Sequence, residues 1–185
     1  MAHNFEWSKR DLEATQRVLK PWLQSWKTTT KPKKTLDVCG GFGRNWEVYR
    51  EYSQIVDLHD INPAWIDIPK QHRGEKFKCD LKDLLPEMNK SPKRYNLIFV
   101  CWGFCYASLE TALNLLHLFK QALAFDGRLI IKEEILREGN KYAHFDKHKH
   151  QQFLYRPLEV LRVVFEKFFT VLNEGKVIAE RNDEV

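Results

Sequence analysis

The sequence predicts an α/β fold in which a doubly wound, mostly parallel sheet is covered by helices on both faces. Apolar runs such as YNLIFVCW (95–102) are hydrophobic on both faces, which is typical of strands buried in a parallel sheet. They alternate with segments of helical periodicity, of which SLETALNLLHLFKQAL (108–123) is the strongest. Because crossovers between parallel strands are right-handed, this alternation leaves few topologies other than a doubly wound sheet.

The first helix is predicted over residues 8–26, with Ser8 as its N-cap and with Pro21 expected to kink or divide it. The other predicted strands are TLDVCG (35–40), QIVDLHDI (54–61), EKFKCDLKDLL with its turn (75–85) and GRLIIKEEIL (127–136), which follows an FDG turn. The other predicted helices are RNWEVYREY (44–52), a short PAWIDIPKQHR segment (63–73) and PLEVLRVVFEKF (157–168). FTVLNEGKVIAE (169–180) is predicted to be a final strand or hairpin.

Length and composition predict one domain, residues 1–185, made of a helical N-terminal segment (1–30) and an α/β core (35–185). There is no apolar run of about 20 residues to span a membrane and no secretory signal, which predicts a cytoplasmic or nuclear protein and leaves an organelle open. The net charge of +5 permits a nucleic-acid partner, but no motif demands one. The four cysteines are expected to be reduced, since they lie in or beside apolar runs.

In a doubly wound sheet, ligands bind at the carboxyl ends of the strands. The first such end carries the pattern Asp37-x-Cys39-x-Gly41-x-Gly43, in which the glycines let a ligand approach the backbone closely. The leading acid suits a ligand with a positively charged ammonium, such as S-adenosylmethionine. A glycine turn that only packs a helix against the sheet remains the alternative.

The next two strand ends carry acids. Asp60 can accept hydrogen bonds from both hydroxyls of a ribose, or it caps the turn before NPAW; Asp57 competes with it but lies inside the strand. Asp80 either meets the amine of an adenine or caps the LKDLL segment (81–85).

The fourth and fifth strands end in Trp102 and in the pair Glu133–Glu134. The Trp102 ring is either a core residue or a face for a sulfonium or an amine. Adjacent strand residues point in opposite directions, so only one of the two glutamates can face the cleft, where it could orient or deprotonate an amine. The histidines of HFDKHKHQQ (144–152) are expected to lie in a flexible, charged loop, and no metal site is predicted.

These motifs together resemble the class I S-adenosylmethionine-dependent methyltransferases, which have a Rossmann-like fold, and within them the protein N-terminal α-amine methyltransferases. The similarity runs from Thr35 to about Arg162. The segments that carry it are LDVCGGFGR (36–44), VDLHDINPAW (56–65), CDLKDL (79–84), VCWGF (100–104) and DGRLIIKEEILREG (126–139). They are similar, in that order, to the family's glycine signature, its ribose region, its adenine segment, its Q-W motif and its I-K-D/E-N motif.

The resemblance implies S-adenosylmethionine as cofactor and methyl transfer to an amine of a protein or peptide. It gives cofactor-binding roles to Asp37, Cys39, Gly41, Gly43, Arg44, Asp60, Ile61, Asp80, Leu81 and Cys101. It gives roles in catalysis to Trp102, to Glu134 at the position of a substrate-binding asparagine, and to Asp146 near a catalytic aspartate. Arg156 falls near an arginine of the following helix.

The sequence also departs from the family's pattern. Cys39 replaces the first glycine, and Cys101 and Glu134 replace amide side chains that would hold a peptide. The family's glycine-rich N-terminal gate is expected to have no counterpart and its seventh, antiparallel strand is expected to be missing, so a partner subunit is expected to cover the shortened edge. A catalytically inactive subunit of a larger complex therefore stays open as a second hypothesis, and a methyltransferase of RNA or a small molecule as a third.

Overall fold

The computed structural model describes residues 2–25, 34–41, 43, 45–49, 51–66, 74–89, 94–136, 143–146 and 151–175. A five-stranded sheet has the order β3-β2-β1-β4-β5, and every pairing in it is parallel. The strands are β1 (Lys34–Val38), β2 (Ile55–His59), β3 (Lys76–Phe77), β4 (Tyr95–Cys101) and β5 (Leu123–Lys132). The strand order reverses between β1 and β4, which confirms the predicted doubly wound sheet and fixes its switch point.

Helices cover both faces of this sheet. They are α1 (Ala2–Ser25), α2 (Trp46–Tyr49), α3 (Pro63–Ile66), α4 (Leu84–Asn89), α5 (Leu109–Ala122) and α6 (Leu158–Glu166). One buried cluster joins Leu36 and Val38 of β1 to α4 and α5, with Phe165 of α6 packed against it. The other joins α1 and α2 to Phe99 of β4. Alternate strand residues thus feed two separate apolar layers, as the runs without polar alternation predict.

The predicted start of α5 is confirmed in detail. The Ser108 side chain accepts a hydrogen bond from the Thr111 amide at 3.1 Å, which satisfies an N–H group that the helix itself leaves without a partner. Pro157 directly precedes α6 rather than lying inside its first turn.

The prediction for the first helix is wrong about where it starts. The helix begins at Ala2 instead of after Ser8, and Pro21 lies inside it without dividing it. Pro21 removes the hydrogen bond to the carbonyl of Arg17, but both residues are exposed, so water can replace that bond. The proline therefore costs less here than it would on a buried face.

Two other strand predictions need correction. β5 begins at Leu123 and includes the predicted FDG turn, because it continues beside Tyr95 after a register shift between Tyr95 and Leu97. Residues 169–175 contain no strand, and the rest of the predicted final strand, 176–180, lies outside the described residues.

The segment predicted to be a charged loop instead contains an antiparallel pair of strands, β6 (Ala143–Asp146) and β7 (Gln151–Leu154). Phe145 pairs with Gln152, and His144 with Phe153. Only β6, Ala-His-Phe-Asp, alternates between apolar and polar residues, whereas β7 reads Gln-Gln-Phe-Leu, so the sequence carries no consistent strand pattern here. Within the described parts of the chain, no helix is both long and apolar enough to cross a bilayer.

Candidate functional site

The glycine turn after β1 is bound to the end of β2 by main-chain and side-chain hydrogen bonds. The Gly40 amide donates to the His59 carbonyl at 3.1 Å, and the Gly41 amide donates to Asp60 Oδ2 at 2.9 Å. Gly41 and Gly43 have φ angles of +58° and +78°, a region in which glycine pays no steric cost. Both glycines that the sequence singles out are therefore needed for the shape of the turn.

Cys39 takes the same left-handed conformation without being a glycine, with a φ of +56°. Its amide donates to His59 Nδ1 at 3.3 Å, and its sulfur lies 3.3 Å from the point where a Cβ on Gly103 would be. The backbone therefore keeps the shape that a glycine would give it, and the side chain packs between β1 and the end of β4. Burial raises the pKa of the Cys39 thiol well above its ordinary value, so the thiol is protonated at neutral pH.

The His59 side chain stabilises this turn through two hydrogen bonds. Its Nδ1 accepts from the Cys39 amide, so the neutral ring carries its proton on Nε2, which donates to the Cys79 carbonyl at 3.0 Å. Burial lowers the pKa of His59, consistent with a neutral ring. This role could not be predicted from local sequence, because Cys39 and Cys79 are each 20 positions away from His59.

Asp60 lies directly after β2 and is 5% exposed. Besides the bond from Gly41, its Oδ1 accepts from the Asn62 amide at 2.8 Å, so the predicted turn cap is present. A carboxylate has about four lone-pair positions, and these two bonds use one on each oxygen. The cap is therefore compatible with hydrogen bonds to two further hydroxyl groups.

The competing acid of β2, Asp57, has a structural role. It accepts hydrogen bonds from the Tyr95 hydroxyl at 2.7 Å and from the Glu75 amide at 2.9 Å, and it pairs with Lys34 at 3.1 Å. Burial alone would raise the pKa of Asp57, but these three partners outweigh burial and lower it. This acid is committed to holding β1, β2 and β4 together.

Asp37 and Asp80 are both held locally. Asp37 is fully buried on β1 and accepts a hydrogen bond from the Tyr49 hydroxyl of α2. Asp80 caps a 3-10 turn, Leu81–Asp83, by accepting from the Lys82 amide at 3.1 Å, and Leu81 is buried beneath it. The capping alternative for Asp80 is therefore present, and the adenine contact remains a prediction.

Trp102 leaves β4 in the left-handed conformation, with a φ of +55°. Its amide donates to the Lys132 carbonyl at 2.8 Å, and the Lys132 ammonium lies 4.9 Å from the centre of its ring. The indole is partly exposed, whereas Cys101 before it is buried against α1 and α2. The tip of β4 thus presents an aromatic face that a cation already contacts.

Glu133, which the resemblance does not single out, organises the segment that follows Trp102. Its two carboxylate oxygens accept from the Phe104 amide at 2.7 Å and from the Cys105 amide at 3.1 Å. Glu134 is exposed. Since adjacent strand residues point in opposite directions, the signal for Glu133 was the glutamate pair itself, and only the structure could say which member faces inward.

Arg156 holds the same segment from its carbonyl side. The guanidinium is 5% exposed and donates to the Phe104 carbonyl at 2.7 Å and to the Ala107 carbonyl at 2.6 Å. The turn Phe104–Tyr106 is therefore clamped by a carboxylate at its amides and by a guanidinium at its carbonyls. We name Glu133 and Arg156 the turn clamp.

The turn clamp makes stability depend on pH. Burial raises the pKa of Glu133 from 4.5 to about 7, although the amide hydrogen bonds oppose this shift. The folded protein therefore binds this proton more tightly than the unfolded chain does. The stabilisation is complete below the unfolded pKa and is lost as the pH rises through about 7.

We expect the difference in thermal midpoint between the wild-type protein and Glu133→Gln, wild type minus variant, to decrease as the pH is raised from about 5 to about 8. Calorimetry of the two proteins over this range measures it, and the subtraction removes the opposite contribution of His59, whose stabilisation is lost as the pH falls. A difference that stays flat or rises would contradict the raised pKa.

The structure brings most of the predicted site residues to the switch point. Asp37, Cys39, Gly41, Gly43, Asp60, Cys101 and Trp102 lie on or directly beyond the carboxyl ends of β1, β2 and β4, with Asp80 and Leu81 beyond β3. Ile61 follows them with its side chain 55% exposed. Asp146 lies in β6, where only the backbone is described, and Arg44 lies outside the described residues.

This group of residues fits a nucleoside that carries a positive charge. Acids stand at two adjacent strand ends, and a Cβ on Gly41 would meet only Trp65, at 3.7 Å, so the backbone of the turn is open on that side. In the described parts of the chain, no group of three histidine, cysteine or acidic side chains lies close enough to hold a metal.

Comparison with known proteins identifies a family. Residues 4–178 match the family described as AdoMet-dependent proline di-methyltransferases. Two curated relatives are the N-terminal Xaa-Pro-Lys N-methyltransferase 1-B of Xenopus laevis, 25% identical over 141 residues, and its human counterpart, 26% identical over 144 residues. The matches cover 72% and 71% of this chain but 61% of each relative, so the chain spans about three-fifths of their length.

Solved structures share the fold. A SAM-dependent methyltransferase of Leishmania major superposes with a TM-score of 0.71 at 16% identity, covering 95% of this chain and 68% of that one. A 1,6-didemethyltoxoflavin-N1-methyltransferase of Burkholderia thailandensis, solved with S-adenosylhomocysteine, gives 0.66 at 16% identity, covering 91% and 72%. At these identities the likeness concerns the fold alone.

Proposed function

Because the chain belongs to the family of AdoMet-dependent proline di-methyltransferases, we propose that it transfers a methyl group from S-adenosylmethionine to an amine of a protein or peptide. The observation that carries the proposal is the pair of hydrogen bonds by which Asp60 joins the glycine turn to the end of β2. That arrangement holds a carboxylate at the switch point, where ligands of doubly wound folds bind. The curated relatives act on N-terminal Xaa-Pro-Lys sequences, which supports an N-terminal α-amine as the acceptor.

We assign the cofactor to the ends of β1 to β4. Asp60 would accept hydrogen bonds from the ribose hydroxyls, and Asp37, with Gly41 and Gly43, would shape the pocket for the amino-acid end, together with Arg44. Cys39, Ile61, Asp80 and Leu81 would line the remaining wall around the nucleoside. Cys101, which is 1% exposed and packs against α1 and α2, would support this wall from behind rather than touch the cofactor. S-adenosylmethionine supplies an electrophilic methyl group on a sulfonium, and the residues of the chain have only to bind and align the acceptor.

The acceptor amine would lie beside Trp102. A free α-amine has a pKa of about 7.7–8.0, so only modest help is needed to keep it unprotonated. Glu134 and Asp146 stay candidates for that help, because Glu134 is exposed at the end of β5 and can reach an incoming peptide. Glu133 is the weaker candidate, since both of its oxygens already accept amide hydrogen bonds.

The cofactor assignment predicts the effect of changing Asp60. Asp60→Asn should weaken binding of S-adenosylhomocysteine by about tenfold, since it replaces a hydrogen bond to a charged acceptor worth about 1.5 kcal/mol. Isothermal titration measures this, with Asp83→Asn as a control because Asp83 is an exposed acid that follows β3. Wild-type protein that releases no heat with either form of the cofactor would remove the proposal.

The acceptor is tested with matched peptides. The wild-type protein should label a peptide with a free N-terminus and leave the N-acetylated peptide unlabelled, because acetylation removes the nucleophilic amine. Equal labelling of both peptides would exclude transfer to the α-amine and point to a side chain.

A catalytically inactive subunit is the second candidate. It is favoured by Cys39, whose side chain occupies space between the ends of β1 and β4 that the family's glycine would leave free. Binding of S-adenosylhomocysteine without any transfer to peptides would support this function. The partner subunit and the cytoplasmic or nuclear compartment are likewise proposals.

A further inference from the structure

A buried charged group links α1 to the tip of β4. Asp11 of α1 is 2% exposed, and its Oδ1 lies 2.5 Å from Lys132 Nζ. The same ammonium donates to the Thr15 hydroxyl at 2.8 Å, and Thr15 in turn donates to the Asp11 carbonyl at 2.6 Å. Lys132 is the last residue of β5 and stands 4.9 Å from the centre of the Trp102 ring.

This arrangement is a costly way to attach a helix to a sheet. Asp11 Oδ2 is buried and has no hydrogen-bond partner among the described residues. Leaving a buried polar atom unsatisfied costs about 1–3 kcal/mol, and apolar side chains often replace a buried ion pair with no loss of stability. The neighbouring contacts of α1 are in fact apolar, since Leu19 and Leu23 pack against the sheet. Stability alone therefore does not explain the charged group.

Lys132 holds Trp102 twice. Its carbonyl accepts the Trp102 amide at 2.8 Å, and its ammonium lies against the Trp102 ring. Trp102 needs such support because its φ of +55° is unfavourable for a side chain with a Cβ. Without the ammonium, the indole would keep its backbone bond and its packing against the cluster of α1, α2 and β4, but it would lose the cation that lies on its face.

We propose that Asp11 and Lys132 are positioning residues for methyl transfer, with Asp11 fixing the Lys132 ammonium so that it holds the Trp102 ring in place for the acceptor amine. The inference rests on the proposed function, since it assigns the acceptor to the Trp102 side of the site. The proposal gives α1, which otherwise covers one face of the sheet, an indirect role in methyl transfer.

The test separates positioning from stability. Lys132→Met should lower kcat for a free N-terminal peptide by about tenfold or more, because small displacements of a positioning group are costly in rate. The affinity for S-adenosylhomocysteine should change little. Lys132→Arg keeps a cation that can pair with Asp11 and stack on the ring, so it should recover much of the rate.

The double variant Asp11→Asn/Lys132→Met is the decisive one. It removes both charges, so no charge is left buried and unpaired, and the free energy of unfolding should return towards the wild-type value. The rate should stay low. A double variant that regains both stability and rate would overturn the proposal and leave the pair a structural one.

A spectroscopic arm keeps the inference testable if the protein transfers no methyl group. The near-ultraviolet circular dichroism of the wild-type protein minus that of Trp102→Phe gives the signal of the Trp102 ring. That signal, obtained by the same subtraction in each background, should be smaller in Lys132→Met and kept in Lys132→Arg. An unchanged signal in Lys132→Met would overturn the positioning role. A smaller signal in Lys132→Met, together with a wild-type protein that transfers no methyl group, would count against the proposed function alone.

Discussion

Arg156→Ala is expected to lower the free energy of unfolding by about 2–6 kcal/mol, because each of the two buried carbonyls left without a donor costs about 1–3 kcal/mol. The guanidinium is 5% exposed, and its two bonds go to carbonyls of the turn after β4. Alanine would leave both carbonyls without these donors and a cavity where the side chain was. Urea denaturation followed by circular dichroism measures the loss.

The chain supplies a matched control on α6. Arg162 also makes two short bonds, to the carboxylate oxygens of Glu174 at 2.7 and 2.6 Å, but both partners are exposed. Water can solvate both groups once the pair is broken, so Arg162→Ala should shift the urea midpoint little. Arg156→Lys should fall between the two alanine variants, because one ammonium cannot span both carbonyls as a planar fork does. Equal losses at positions 156 and 162 would contradict the role of burial.

Gly40→Ala is expected to destabilise the protein by about 3 kcal/mol, the upper part of the usual range for adding an atom to a packed interior, and to abolish binding of S-adenosylhomocysteine. A Cβ on Gly40 would lie 2.5 Å from Asp37 Oδ2 and 2.5 Å from Leu58 Cδ1. Neither neighbour can retreat cheaply, because Asp37 is bonded to Tyr49 and Leu58 is buried. Moving Asp37 would deform the pocket from beneath.

The neighbouring glycine provides the contrast. A Cβ on Gly41 would meet nothing closer than 3.7 Å, but the φ of +58° is unfavourable for alanine. Asparagine tolerates that conformation better than alanine does. Gly41→Asn should therefore be milder than Gly41→Ala, whereas Gly40→Asn should be worse than Gly40→Ala. If the thermal midpoints of the four variants show no such reversal, then the steric reason given for Gly40 and the torsional reason given for Gly41 are wrong.

The sequence was sufficient for the sheet and for which residues lie at its carboxyl edge, since both depend on local patterns. A run of apolar residues marks each long strand, and the residue after it must lie at the carboxyl edge. Asp60 could be picked out in this way, because it follows QIVDLH directly. The distinction between Asp60 and Asp57 was also local, and the structure gives Asp57 three partners inside the sheet.

The supporting residues could not be predicted in the same way, because their partners are distant along the chain. Asp11 and Lys132 are 121 positions apart, and Arg156 reaches Phe104 across 52. Nothing in the spacing of such residues distinguishes a buried pair from two solvated charges. The hairpin β6–β7 was missed for another reason, since its strands have only four residues each and β7, Gln-Gln-Phe-Leu, has no period of two.

Cys39 and Trp102 share a backbone conformation that suits glycine, and they end neighbouring strands, β1 and β4. Each unfavourable torsion costs about 1–3 kcal/mol, which the rest of the molecule has to supply. Glycine would relieve the torsion at both positions, but at position 102 it would also remove an indole that packs against the cluster of α1, α2 and β4. Variants chosen only for survival at high temperature would therefore be expected to change at Cys39 before they change at Trp102.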